Sequence, residues 1–169
     1  MVRVVILDGV ARRGRMSTAL DQLAGRSGVE TAHLTLGEMQ LGPADGTPPD
    51  ERTDDASEVA RAVADAAGVI LASPSYHGSF SGILKNTLDL LLPGTLAGYR
   101  CGVVIQAHRP DHGYYTADGL TRIAAYLGAD AAHLPVVLLN DDFADGALNG
   151  PRTAALEDLH DWVAGGPEN

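Results

Sequence analysis

The stretch VILASPSYHGSFSGILKNTLDLLL, residues 69–92, decides how the rest of this chain is read. Val69, Ile70, Leu71 and Ala72 form an apolar run short enough for a strand buried on both faces. Ser73-Pro74 ends that run, because proline has no N–H and drives its predecessor to an extended conformation. A polar loop with two glycines follows over residues 75–82. Ile83, Leu84, Thr87, Leu88 and Leu91 then recur at the spacing of a broad helical face. Strand, polar loop and helix in this order belong to an open α/β sheet, whose loops at the carboxyl edge of the strands meet ligands. Free loop N–H groups and a helix start suit an anion or a flat polar ring.

Working outward, the same alternation runs along the chain. Residues 2–7 (VRVVIL) read as a first strand, followed by a glycine-bearing loop and a helix capped near Ser17 or Thr18. Residues 29–36 read as a second strand, 37–54 as a long surface loop rich in glycine, proline and aspartate, and 56–67 as a helix. Beyond the central stretch come a strand at 102–107, a loop at 108–115 with Tyr114 and Tyr115 packing its underside, and a helix at 117–127. A strand at 131–139 and a final helix at 152–164, with Pro151 in its first turn, complete the pattern. Strands alternating with helices predict a doubly wound, five-stranded parallel sheet, and right-handed crossovers bring loops 8–17, 73–82 and 107–115 to one edge. With no repeat or linker, residues 1–169 read as a single domain.

Composition narrows the partners. A net charge of -10 argues against nucleic acid or an anionic membrane surface. No apolar run approaches the roughly 20 residues of a membrane span. A single cysteine, Cys101, leaves no internal disulfide and fits a reducing, cytoplasmic setting, where it reads as a small core residue. Against the acidic balance, Arg12, Arg13 and Arg15 crowd the first loop ahead of a helix N-terminus, which reads either as an anion site or as a solvated basic loop. His108 and His112 lack the clustered acids or thiols of a metal site. A rim histidine that hydrogen-bonds or moves a proton, or a solvated loop, are the remaining readings there.

The segment SPSYHGSFSGILKNTLDLL resembles the second flavin loop and following helix of the NAD(P)H-dependent FMN reductase family, a flavodoxin-like group. The family pattern, approximately S/T-P-x-Y-x-x-S-x-x-G-x-L-K-N-x-L-D, is met at Ser73, Pro74, Tyr76, Ser79, Gly82, Leu84, Lys85, Asn86, Leu88 and Asp89. The family's phosphate loop, approximately G-S-x-R-x-x-S-x-S/T, is matched at Gly9, Arg12 and Ser17, while Val10 and Arg15 stand where relatives carry serine. The resemblance implies a flavodoxin-like fold with helices on both faces of the sheet, FMN and NAD(P)H as cofactors, and hydride transfer to the flavin. Flavin-dependent partners or small acceptors such as quinones would receive the electrons. It further implies FMN contacts at Gly9, Arg12, Arg15, Ser17 and Thr18 for the phosphate, with Arg12 or Arg15 replacing the lost hydroxyls. Pro74, Ser75, Tyr76, His77, Gly78 and Ser79 would hold the ring through backbone groups, and His108 and Gly113 would lie on the third loop. A homodimer or homotetramer is expected, with Lys85 and Asp89 at the interface or with Lys85 simply reaching water. The competing reading is a flavin-free relative that binds or transforms a small organic ligand, using His77, His108 and a tyrosine as acid and base.

Overall fold

The computed structural model describes residues 4–165. Five parallel strands, β1 (Val4–Asp8), β2 (Thr31–Thr35), β3 (Gly68–Pro74), β4 (Arg100–Ala107) and β5 (Val136–Leu139), lie in the order β2-β1-β3-β4-β5. The helices are α1 (Arg15–Ala24), α2 (Ala56–Ala64), α3 (Gly82–Leu90), α4 (Pro110–Tyr126) and α5 (Gly150–Ala164). This is the flavodoxin-like doubly wound arrangement, whose strand order reverses between β1 and β3.

The period of two along each strand builds two cores. Val5, Leu7, Val69, Leu71, Val103 and Ile105 face one side, where Val59, Val63, Leu84, Leu88 and Leu120 of α2, α3 and α4 meet them. Val4, Ile6, Ile70, Ala72 and Val104 face the other, against Leu20 and Leu23 of α1 and Leu156, Leu159 and Val163 of α5. Cys101 is buried in the first core, and desolvation raises its thiol to about 12, as expected of a packing residue.

Several boundaries differ from the sequence reading, each for an identifiable reason. Arg3 and the first residue of the expected first strand lie outside the described residues. Helix α1 starts at Arg15, with Gly14 as its N-cap, so Ser17 and Thr18 sit inside the first turn rather than capping it. The strand expected over 131–139 shrinks to four residues because Pro135 lacks a ladder donor and Leu134 is 80% exposed. The largest change concerns the expected loop at 108–115. Helix α4 already begins at Pro110, where proline fits the first turn. Tyr114 and Tyr115 therefore project to the surface, 53% and 70% exposed, instead of packing beneath a loop. Gly113 is buried within that helix, where an added Cβ would stand 2.3 Å from Val137 Cγ1. Its lack of a side chain lets α4 approach β5.

The long 37–54 segment carries single 3₁₀ turns at Leu36–Glu38 and Pro49–Glu51 and is otherwise irregular. Side chains hold it. Arg52 bridges Asp45 and Asp54 at 2.9 and 2.6 Å, and Asp54 also accepts the N–H groups of Gly42 and Ala56. The Arg52 guanidinium and those N–H groups keep the Asp54 carboxyl well below the usual carboxylate range. Asn86 of α3 closes the clasp, accepting from Ala44 N–H and donating to Gly42 O, so this side chain faces its own chain.

Gly113→Ala tests the close approach of α4. The helix propensity gained, about 1 kcal/mol, is outweighed by overpacking against a β-branched neighbour, typically 1–3 kcal/mol. The urea midpoint should fall with an unchanged slope.

Candidate functional site

Two of the three expected ligand loops meet at the carboxyl edge. Val10, Ala11, Arg12, Gly14, Met16 and Ser17 from the β1–α1 segment face Pro74, Tyr76 and Gln106 across a cleft of about 310 Å³. That volume lies at the lower end of the range for small-molecule pockets.

The floor is built by close packing. Gly9 donates its N–H to Ala72 O at 2.8 Å, and a Cβ there would lie 2.7 Å from Leu84 Cβ and Ser81 Oγ. Gly9 is thus a packing residue beneath the cleft rather than part of its wall. The N–H groups of Arg15, Met16 and Ser17 belong to the first turn of α1, which leaves them without intrahelical acceptors. With the positive end of the helix dipole, they form an anion cradle.

The three arginines separate. Arg13 pairs with Asp21 and donates to Thr35 Oγ1 at 2.6 Å. Arg15 donates to Asn140 Oδ1 at 2.9 Å and stacks over the Phe143 ring at 5.1 Å, which fixes it to the segment after β5 and away from the cleft. Arg12 alone lines the cleft with no hydrogen bond or ion pair among the described residues. Thr18 is also turned aside, its hydroxyl donating to Gly14 O at 3.2 Å.

On the opposite wall, residues 76–79 form a two-residue hairpin. Tyr76 N–H donates to Ser79 O at 2.8 Å and Ser79 N–H to Tyr76 O at 3.0 Å. His77 and Gly78 occupy its turn with φ of 52° and 77°. The expectation that this whole loop has uncommitted N–H groups is therefore corrected: Ser75 N–H also bonds Gln106 O, leaving His77 and Gly78 as the free donors of residues 75–79. The Ser75 hydroxyl lies 2.7 Å from Thr116 Oγ1, tying the loop to α4.

His108 does not line the cleft; Asn140 Nδ2, in the segment after β5, lies 2.8 Å from its Nδ1. Because Asn140 Oδ1 accepts from Arg15, its amide donates to His108, which places the imidazole proton on Nε2. Among the described residues, neither His77 nor His108 hydrogen-bonds a tyrosine, and the partner of His108 is Asn140. Gly113, inside α4, is not in the cleft. No group of three metal-ligating side chains occurs among the described residues.

Sequence reasoning overlooked Gln106, Asn140 and Asp8. The first follows directly on the apolar run Val103-Val104-Ile105 near the end of its strand. Asp8 closes β1 wholly buried, and its Oδ2 accepts from Ser17 Oγ at 2.7 Å and lies 3.3 Å from His33 Nε2. His33 also contacts Asp21 Oδ1 at 2.8 Å. Burial lowers the His33 pKa, but hydrogen bonds and charge from Asp8 and Asp21 overcome this and hold it above its ordinary value.

Solved structures share this frame. NADH:FMN oxidoreductase (EMOB), in its apo form, superposes with a TM-score of 0.78 at 22% identity, covering 97% of this chain and 89% of that one. FerB, a flavoenzyme NAD(P)H:(acceptor) oxidoreductase from Paracoccus denitrificans, gives 0.72 at 18% identity over 98% of this chain and 96% of its own. A WrbA-like flavodoxin from Agrobacterium tumefaciens gives 0.64 at 14% identity, covering 98% and 96%. At these identities the likeness is one of fold. No curated protein matches the chain. The family model for NADPH-dependent FMN reductase, however, matches residues 2–144, from the first strand through all three ligand loops. The chain belongs to the NADPH-dependent FMN reductase family.

Proposed function

We propose that this NAD(P)H-dependent flavin oxidoreductase, working as a single domain in each subunit, holds FMN along the cleft between residues 10–17 and the 76–79 hairpin. The reading rests on one observation above others: Arg12, without a partner among the described residues, stands beside unsatisfied helix N–H groups at the β1/β3 switch point. Arg12 and the N–H groups of Arg15, Met16 and Ser17 take the phosphate. Pro74, Tyr76 and the free N–H groups of His77 and Gly78 border the ring. Bound flavin supplies the hydride-accepting chemistry. The chain's own part is to orient the ring, keep one face open to the nicotinamide, and shield the other with the β4 end at Gln106. Quinones and flavin-dependent proteins are the acceptors we infer, in a cytoplasmic setting.

We further infer a homodimer or homotetramer built on α3. Lys85 and Asp89 form an exposed i,i+4 pair there, beside a groove lined by Leu36, Met39, Leu41, Pro43 and Ile83. Sedimentation should give a dimer or larger species at micromolar concentration; a monomer would remove the interface.

Arg12→Ala should weaken FMN binding by roughly tenfold or more, the loss of a charge-assisted phosphate contact. Arg15→Ala should cost markedly less, because Arg15 is held by Asn140 and Phe143. Fluorescence titration of both variants separates the two arginines, and equal losses would overturn the assignment. Wild-type protein that fails to bind FMN at about 100 μM would overturn the reductase reading itself.

Gly78→Val should also weaken FMN binding. The cause is conformational, since a Cβ at Gly78 would meet nothing within 4 Å, whereas a β-branched residue is strained at φ 77°. Unchanged affinity would show that the hairpin does not border the ring.

A further inference from the structure

Ser17 occupies the cradle with a hydroxyl that is already fully directed. It has one hydrogen, and that hydrogen goes to Asp8 Oδ2 at 2.7 Å, while Gly14 N–H donates to Ser17 Oγ at 3.4 Å. A carboxylate offers no hydrogen in return. The hydroxyl therefore has nothing to donate to a ligand phosphate as long as Asp8 accepts from it. With Val10 and Arg15 at the other two family serine positions, the cradle presents no hydroxyl donor at all.

Asp8 is fully buried, and its Oδ1 has no hydrogen-bond partner, the single such side-chain atom among the described residues. A buried acceptor left unpaired is costly, and a serine or asparagine at this position would avoid it. What faces Asp8 is a mixed cluster. His33 comes from β2, with its side chain only 5% exposed, and Asp21 comes from α1. Arg13 comes from the first loop and bridges to Asp21 and, at 4.0 Å, to Glu38. Two cationic groups thus stand against three carboxylates, and one of the cations is a histidine.

We propose that Asp8 is a specificity-determining residue of the cofactor cleft: by holding the Ser17 hydrogen inward and setting a carboxylate beneath the cradle, it lowers the preference for the phosphorylated flavin over riboflavin, and His33 sets the strength of that effect. The inference rests on the flavin reading above. Asp8 acts through Ser17 and through its charge, so it is a positioning residue and not a catalytic one. While His33 is protonated its charge offsets that of Asp8. As pH rises through the raised His33 pKa the offset is lost, so FMN affinity falls and riboflavin affinity does not.

The test is fluorescence titration of the full chain with FMN and with riboflavin between pH 7 and 9, a range above the second phosphate pKa of about 6. In Asp8→Asn the amide can donate to Ser17 Oγ, which turns the hydroxyl outward and removes the buried charge. FMN affinity should rise at least fivefold at pH 8, riboflavin affinity should stay within twofold, and the pH dependence of FMN binding should flatten. A parallel change for both flavins, or no change, would overturn the proposal. Ser17→Ala gives a second reading that does not depend on Asp8→Asn folding. In the parent background it should leave the FMN-to-riboflavin affinity ratio within twofold, and a fivefold fall would mean that Ser17 donates to phosphate after all. Proton NMR should show the His33 titration moving to lower pH in Asp8→Asn; an unmoved titration would also overturn the coupling. If neither flavin binds parent or variant, the reductase reading fails and takes this inference with it. Flavins that bind with unaltered ratios defeat the inference alone.

Discussion

The hydrogen bond from Gly9 N–H to Ala72 O, at 2.8 Å, continues the pairing of β1 with β3 one residue past the strand end. At that point the backbone of the first loop lies so close to α3 that Ser81 Oγ and Leu84 Cβ would be 2.7 Å from a Cβ. Ser81 itself caps α3 by accepting from Leu84 N–H, and its own N–H donates to the buried Ser73 Oγ at 2.8 Å. The end of β3, the start of α3 and the entry to the cradle therefore share one contact. Displacing any of the three would displace the others, which makes the cleft a property of the core rather than of its loops.

A second set of contacts steadies the cradle from outside. A Cβ on Gly37 would fall 2.3 Å from Val10 O, and Gly37 N–H donates to that same carbonyl at 3.1 Å. The irregular 37–54 segment is thus pressed onto residues 10 and 11, while Arg52, Asp54 and Asn86 hold its far end to α2 and α3. Long loops in compact domains are commonly functional. Here the polar clasp lets a segment with little core of its own keep a fixed position beside the site.

The inner strands were legible because each is buried on both faces, and a run such as Val69-Ile70-Leu71-Ala72 has few other ways to satisfy its side chains. Helix α4 was not, because Gly113 and the His-Gly-Tyr-Tyr run look like a loop by propensity, while the packing of β5 demands a residue without a side chain inside a helix. Of the central motif, Pro74 and Tyr76 line the cleft. The first loop was harder. Three arginines within four residues are alike in sequence, and only their partners elsewhere in the chain distinguish them: Asn140, 125 residues beyond, removes Arg15, and Asp21 removes Arg13. Asp8 left one faint signal, a carboxylate closing an otherwise apolar strand.

That carboxylate changes how the helix field at the site is divided. The N-terminus of α1 attracts negative charge over its first turn only. Asp8 Oδ2, 2.7 Å from the hydroxyl of Ser17 in that first turn, already lies within the field. A phosphate entering the cradle from the cleft would share the same dipole with a fixed anion on the inner side. His33 is the group that separates the two charges electrostatically, since it touches Asp8 but has its own contact to Asp21 and none to the cleft. On the proposed reading, phosphate attraction would depend on a buried pair behind the cradle as well as on Arg12 in front of it. In a cradle of serines the donors would be neutral hydroxyls on the ligand side, and no such dependence on a buried charge would arise.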